Sequence, residues 1–271
     1  MPASSQLAFE RIAQRTFDAV NRKRENREWH KAFSSFACPD QKVGEAVVHG
    51  NAFRYLAAAG QPLAHDFCRQ DADQLDPHGQ PRLILVLESP HKAEFAPLPG
   101  PMASSVAKGR RRIPVGPARG QSGRQIRARL HAWPLPQASL PSMVPGACFD
   151  LILVNAIRHQ CSLAYTPAYY RDAVFAAAWA CPTIGADHFA RRLDAIWRGN
   201  GKDIVVNCCT KGAAPHAGAL KDAVRAAIAK LAQPQTGRLC LVPELTHPSH
   251  WMYLPKAAPA ALHRAAFTSA G

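Results

Sequence analysis

Four short, almost unbroken apolar runs punctuate the chain. They are Arg82-Leu-Ile-Leu-Val-Leu-Glu88, Phe149-Asp-Leu-Ile-Leu-Val-Asn155, Asp203-Ile-Val-Val-Asn207 and Arg238-Leu-Cys-Leu-Val-Pro243. Continuous Leu, Ile and Val over so few residues, with polar residues at the ends, predict strands buried on both faces. Helical patterns lie between them, over Ser122–His131, Ile184–Trp197 and His216–Leu231, with a last one from about Pro255 to Phe267. Strand alternating with helix predicts a three-layer α/β/α fold around a four-stranded parallel sheet, with right-handed crossovers. Ahead of it, Leu7, Ile12, Phe17, Val20 and Trp29 give partial 3.6 periodicity, predicting one or two helices over Ser5–Phe33. A further helix is expected around Glu45–Ala59, then a polar loop around Asp71–Gln80. The expected organisation is an N-terminal helical extension, residues 1–80, packed on an α/β domain of residues 81–271. Ala96–Gln121, rich in Pro, Gly and Arg, is the longest predicted loop, and long loops in compact domains tend to be functional or mobile.

In an open parallel sheet ligands bind at the carboxyl ends of the strands. Those ends carry Glu88-Ser-Pro-His-Lys-Ala-Glu94, Asn155-Ala-Ile-Arg-His-Gln160, Asn207 with Thr210-Lys211, and Glu244-Leu-Thr-His-Pro-Ser-His-Trp251. Any one such cluster serves equally as a turn or cap. Four on the same edge, bearing carboxylates, amides and histidines, predict a site.

Charge says what the partner is. Lys and Arg number 33 against 19 Asp and Glu, a formal net charge of +14. That excess favours a polyanion, most often nucleic acid. The longest wholly apolar run, Ala173–Cys181, is too short to span a bilayer, and MPASSQLAFERIAQR has no apolar signal-peptide core. The expectation is a cytoplasmic monomer without a membrane partner. The eight cysteines show no C-x-x-C, which predicts reduced thiols rather than disulfides. A zinc site from Cys208, Cys209, His247 and His250 has poor spacing, so no metal and no cofactor are expected.

The strand-end segments resemble those of the uracil-DNA glycosylase superfamily. Glu88-Ser-Pro90-His91-Lys-Ala-Glu94, followed by Val115-Gly-Pro-Ala-Arg-Gly-Gln-Ser-Gly-Arg124, is similar to the Glu-x-Pro-Gly-x-x-Glu motif and Gly-rich turn of its iron–sulfur branch, family 4. Leu153-Val-Asn155-Ala156 resembles the strand ending in a base-reading Asn, and His247-Pro248-Ser249 the closing His-Pro-Ser motif. Order and spacing agree over roughly Arg82 to Tyr253. The chain departs in three ways: His91 replaces the Gly after Pro, the cluster cysteines are absent, and the linker after Glu94 is longer and more basic.

The resemblance implies a uracil-DNA-glycosylase-like fold and a glycosylase that flips a pyrimidine from DNA and hydrolyses its N-glycosidic bond. His247 would stabilise negative charge on the departing base. Glu88 and Glu94 would stabilise the cationic sugar or polarise water, in either assignment. Asn155 would read the base edge, its amide matching uracil or a cytosine-like edge. Pro90 and His91 would shape the base pocket. Arg119, Ser122, Gly123, Arg124 and Ser249 would hold phosphates, with helix N–H groups at the Ser122 turn. Trp251 is placed either as a wedge filling the vacated stack or as a core residue. The substrate would be uracil or, as His91 suggests, a modified pyrimidine such as the hypermodified cytosines of phage DNA, in repair or antiviral defence. The alternative is a catalytically silent DNA-binding or sensor protein of the same fold. Other folds fit worse. The one D-x-D, Asp71-Ala-Asp73, precedes Glu88, the wrong order for a Toprim site, and the P-loop and the deaminase cysteine motif are absent.

Overall fold

The computed structural model describes residues 2–20, 34, 36–50, 52–56, 67, 69–97, 112–132, 143–162, 168–213, 218–232, 239–243, 247–253 and 262–264. The four apolar runs form adjacent strands β4 (Arg82–Leu87), β7 (Cys148–Asn155), β8 (Ile204–Asn207) and β9 (Leu239–Pro243). They are parallel, in the order β9-β8-β4-β7. The whole sheet is mixed, a correction to the purely parallel expectation. β1 (Gln41–His49) pairs antiparallel with β7, β2 (Ala52–Leu56) and β3 (Gln70–Asp71) pair with β1, and β10 (Leu262–Arg264) pairs antiparallel with β9. Among the described residues the sheet thus has eight strands, and antiparallel partners cover both edges of the parallel block. Covering an edge satisfies the N–H and C=O groups that an edge strand otherwise leaves unpaired.

Residues 1–80 are therefore not simply helical. Helix α1 (Pro2–Val20) forms as expected and buries Phe9 and Ala13. The helix expected over Glu45–Ala59 is instead the β1–β2 hairpin. Two local features explain this. Val47 and Val48 favour a pleated, half-buried surface, and Gly50 turns the chain at φ +61°. The helix expected near Pro255–Phe267 gives way to β10 at 262–264, where β9 offers an open edge. Within the long loop, β5 (Phe95–Pro97) and β6 (Arg112–Pro114) pair as a small antiparallel ribbon, while Arg110 and Arg111 lie outside the described residues.

Helices α2 (Gln121–Arg129), α4 (Ala186–Ile196) and α5 (Ala219–Leu231) match the periodic segments closely. In α4 the buried Phe189, Leu193 and Ile196 recur at helical spacing, as do Leu220, Val224 and Ile228 in α5. Helix α3 (Ala168–Trp179) escapes periodicity because its apolar run is almost continuous. Strand alternation assigns two cores. Leu83, Leu85, Leu151, Leu153 and Val206 pack with Ile126 and Leu130 on the α2 side. Ile84, Val86, Ile152, Val154 and Val205 pack with α1, α3, α4 and α5 on the other. From β4 the chain goes out to β7 and then returns past β4 to β8, so its direction reverses around β4. That reversal opens a crevice beyond the strands' carboxyl ends.

Candidate active site at the carboxyl ends of the parallel strands

A cleft of about 320 Å³ lies in this crevice. The turn after β4 contributes Glu88, Ser89, His91 and Glu94, the start of α2 contributes Gly120, Gln121 and Ser122, and the last segment contributes His247 and Ser249. Arg171 from α3, Thr210 from beyond β8 and Ser162 complete its wall. Segments far apart in sequence are thus brought together, and six of the predicted residues, Glu88, His91, Glu94, Ser122, His247 and Ser249, line one cavity.

The two glutamates sit in unequal surroundings. Glu88 is 3% exposed. Its carboxyl lies 3.2 Å from the Arg171 guanidinium and accepts a short hydrogen bond from the Thr210 hydroxyl. Burial raises its pKa, and Arg171 and the Thr210 bond pull the other way. Glu94 is 5% exposed and has no ion pair of its own. Burial pushes its pKa up to about 8, opposed by the backbone N–H groups of His91 and Ala118, the field of Arg69 and the nearby Asn155 amide. The Cys38 thiol also approaches it, at 4.0 Å. At neutral pH Glu94 is therefore largely protonated, whereas Glu88 has a cation against it.

Backbone geometry supports this arrangement. Ala118, a non-glycine residue at φ 54°, turns the chain tightly between β6 and α2. Its carbonyl crowds Gly123, where an added Cβ would lie 1.8 Å from that oxygen. Gly123 is thus a packing requirement at a buried position rather than a phosphate contact. Helix α2 starts at Gly120 with no side-chain cap, so its first N–H groups open towards the cleft at Gln121 and Ser122. Gln121 also ties this end to the last segment by donating from Nε2 to the Ser249 carbonyl at 3.1 Å.

Both cleft histidines are oriented. The Ser249 backbone N–H donates to His247 Nδ1 at 3.3 Å, and the Ser249 hydroxyl lies 2.9 Å from the same nitrogen. A backbone N–H can only donate, so Nδ1 is an acceptor and a neutral ring carries its proton on Nε2. His91 caps the 3₁₀ turn Lys92–Glu94 by accepting the Ala93 N–H at Nδ1, 3.3 Å away. Burial first, then Lys92, lowers its pKa, so it too is neutral.

Asn155, at the end of β7, is fully buried beneath this wall. It lies close enough to Glu94 to influence that carboxyl, yet neither amide atom makes a hydrogen bond of normal geometry. An unsatisfied buried polar group costs about 1–3 kcal/mol, so a donor and an acceptor are held ready at stability's expense. The remaining candidates do not line the cleft. Pro90 is buried and shapes the turn without lining the cleft. Arg119 and Arg124 are exposed beside the α2 start, outside the cleft wall. Trp251 is completely buried in the α2-side core, which rules out a ready wedge. Cys208 and Cys209, whose spacing is poor for a zinc site, are buried in opposite cores. Among the described residues no group of three or more His, Cys, Asp or Glu is placed to hold a metal. Arg171 was not anticipated. Its signal is the charged Arg171-Asp172 pair inside an otherwise apolar helix.

The cleft combines the neutral His91 imidazole, the oriented His247 ring, a largely protonated carboxyl, a cation-paired carboxyl and an uncapped helix start. Such a set suits hydrolysis in which an anion departs and a cation develops. No family model matches the chain, and no curated protein or solved structure shows significant similarity to it. No described helix is long and apolar enough to cross a membrane.

Proposed function

We propose that the chain is a DNA glycosylase whose cleft receives a flipped pyrimidine nucleotide and hydrolyses its N-glycosidic bond, leaving an abasic site. The observation that carries this reading is the convergence of Glu88, His91, Glu94, Ser122, His247 and Ser249, from three distant segments, on one cleft. In the proposed reaction His247 Nε2–H donates to the base oxygen on which negative charge develops. Glu88, held by Arg171 and Thr210, stabilises the cationic sugar and orients the attacking water. Glu94, largely neutral, and the unengaged amide of Asn155 face the base's polar edge. His91 stands at the base and sets which pyrimidine fits, with uracil and hypermodified cytosine as the competing substrates. Helix α2's first N–H groups with Ser122, and the exposed Arg119 and Arg124 beside them, take the flanking phosphates.

The test is cleavage of labelled single- and double-stranded DNAs carrying uracil, hypoxanthine, hydroxymethylcytosine or glucosylated hydroxymethylcytosine, with alkali to reveal abasic sites. One base is expected to be released. His247→Ala should lower turnover by roughly 10²–10³-fold, the usual loss for one donor to a developing anion, while DNA affinity is retained. Failure to release any base, with salt-dependent DNA binding intact, would overturn the enzyme reading in favour of a silent DNA-binding protein.

A further inference from the structure

A second and larger cavity, about 540 Å³, lies away from the cleft between α4 and the segments around residues 39–40 and 71–77. Its size falls in the range of small-molecule sites, roughly 300–1,000 Å³. Four arginines reach it, and they differ in how fully they are used. Arg198 and Arg82 direct their terminal nitrogens at backbone carbonyls and, for Arg198, at Asp203. Both belong to the framework. Arg192 donates from one terminal nitrogen to both Asp40 oxygens, at 2.7 and 2.6 Å, and from the other to backbone carbonyls, so only its buried Nε lacks a partner among the described residues. Among the described residues Arg158 donates only through Nε, to the Cys38 carbonyl at 2.7 Å, and its two terminal nitrogens make no hydrogen bond there.

The charge balance of the lining is positive, four guanidiniums against the carboxylates of Asp40, Asp71 and Asp73, with Asp40 paired to Arg192 at 2.6 Å. His188, half-buried on α4, lies in the field of these arginines. Burial, then Arg192, Arg158 and Arg191, push its pKa down to about 4, with Asp40 the opposing influence. Asp71 and Asp73 also line the cavity, next to Asp40, whose carbonyl accepts the Ala72 N–H at 2.9 Å. Such carboxylates repel a nucleic-acid backbone but accept hydroxyl hydrogen bonds.

We propose that this cavity is a binding site for a small phosphorylated molecule bearing hydroxyl groups, of nucleoside-monophosphate size, with its phosphate on Arg158, beside the Arg192–Asp40 pair, and its hydroxyls towards Asp71 and Asp73. Guanidinium forks match phosphate geometry, and the unengaged nitrogens of Arg158 supply the donors. Arg192 also donates to the carbonyls of Asn155 and Ala156, at 2.8 and 3.1 Å, so the same side chain touches both this cavity and the strand end beneath the cleft.

Calorimetric titration of the full chain with inorganic phosphate, adenosine 5′-monophosphate and adenosine tests the assignment without any DNA cleavage, so its outcome is separate from the glycosylase reading. Phosphate and the monophosphate should bind saturably, and adenosine at least about tenfold more weakly, a difference of about 1.4 kcal/mol. Arg158→Gln, which removes only the Cys38 carbonyl contact from the fold, should weaken the monophosphate by about tenfold or more, and Arg158→Lys by less. A short duplex without terminal phosphates should not displace the monophosphate. The proposal is overturned if neither phosphate compound saturates, if adenosine binds equally well, or if folded Arg158→Gln binds as the parent does. Displacement by the duplex would also overturn it, making this face a nucleic-acid contact. Should Arg158→Gln fail to fold, the parent titrations and the duplex competition still decide the question.

Discussion

The two ends of the parallel strands handle buried charge in opposite ways. At the amino end Asp203 is saturated. It accepts the backbone N–H groups of Arg82 and Arg198, each at 3.0 Å, and the Arg198 guanidinium at 2.6–2.9 Å. Arg198 and Arg82 then close off the carbonyls of Asp76, Pro77, Gly79, Gln80 and Ile196. The network joins the starts of β4 and β8 to the end of α4. At the carboxyl end, among the described residues, Glu94 has no ion pair, Glu88 relies on one cation and one hydroxyl, and the Asn155 side-chain amide makes no hydrogen bond of normal geometry. Saturated charge makes a framework. Buried polar groups left under-satisfied cost stability, and they mark the end where a ligand would complete the bonding.

The largest effect should come from breaking the framework. Asp203→Ala leaves Arg198 and two backbone N–H groups without their acceptor and should destabilise the fold by about 3–5 kcal/mol in urea denaturation. A loss below about 1 kcal/mol would mean the network is ornamental. The matching change at the other end should do the reverse. Asn155→Leu, similar in shape, removes an unsatisfied donor and acceptor, so stability should stay level or rise by up to about 2 kcal/mol while base release is lost. A destabilisation comparable to that of Asp203→Ala would show Asn155 to be structural.

Glu94 sharpens the contrast through pH. Its folded pKa, about 8, lies above the ordinary value of 4.5, so the folded protein holds a proton that the unfolded chain releases first. Stability from this group is full below pH 4.5 and falls as pH rises towards 8. The limiting slope for one proton is about 1.4 kcal/mol per pH unit. Glu94→Gln should flatten the stability profile over that window. His188, lowered from 6.5 to about 4, acts in the opposite sense: stability falls as pH drops between those values, in both proteins. An unchanged slope in Glu94→Gln would place an ionised carboxylate in the cleft. The smallest effect should come from a charge at neither end. Arg225→Ala breaks an exposed pair with Asp222, 2.9 Å long, and should change stability by no more than about 0.5 kcal/mol.

Much of this was legible from residue order. The four central strands announced themselves because a strand buried on both faces must be apolar throughout, and a soluble helix cannot be. Helices α4 and α5 were visible because one face of each is wet, which imposes a period. Helix α3 was not, since its apolar residues run almost without a break and leave no period to read. Candidate groups Glu88, Glu94 and His247 could be named because polar residues after buried strands fall on a single edge.

Only the tertiary structure decided the rest. Residues 41–49 and 52–56 became a hairpin because β7 offered an edge on which the local preference of Val47 and Val48 and the turn at Gly50 could be used. Trp251 went to the core and Arg171 to the cleft because burial depends on what packs above a residue, from segments remote in sequence. The same distinction separates Glu88 from Glu94. They are identical residues six positions apart, one given a cation and one denied it by folding. Chain order determines which groups can meet, because strand ends gather on one edge. Their protonation and accessibility are properties of the packed surroundings, which exist only once the distant segments have closed over them.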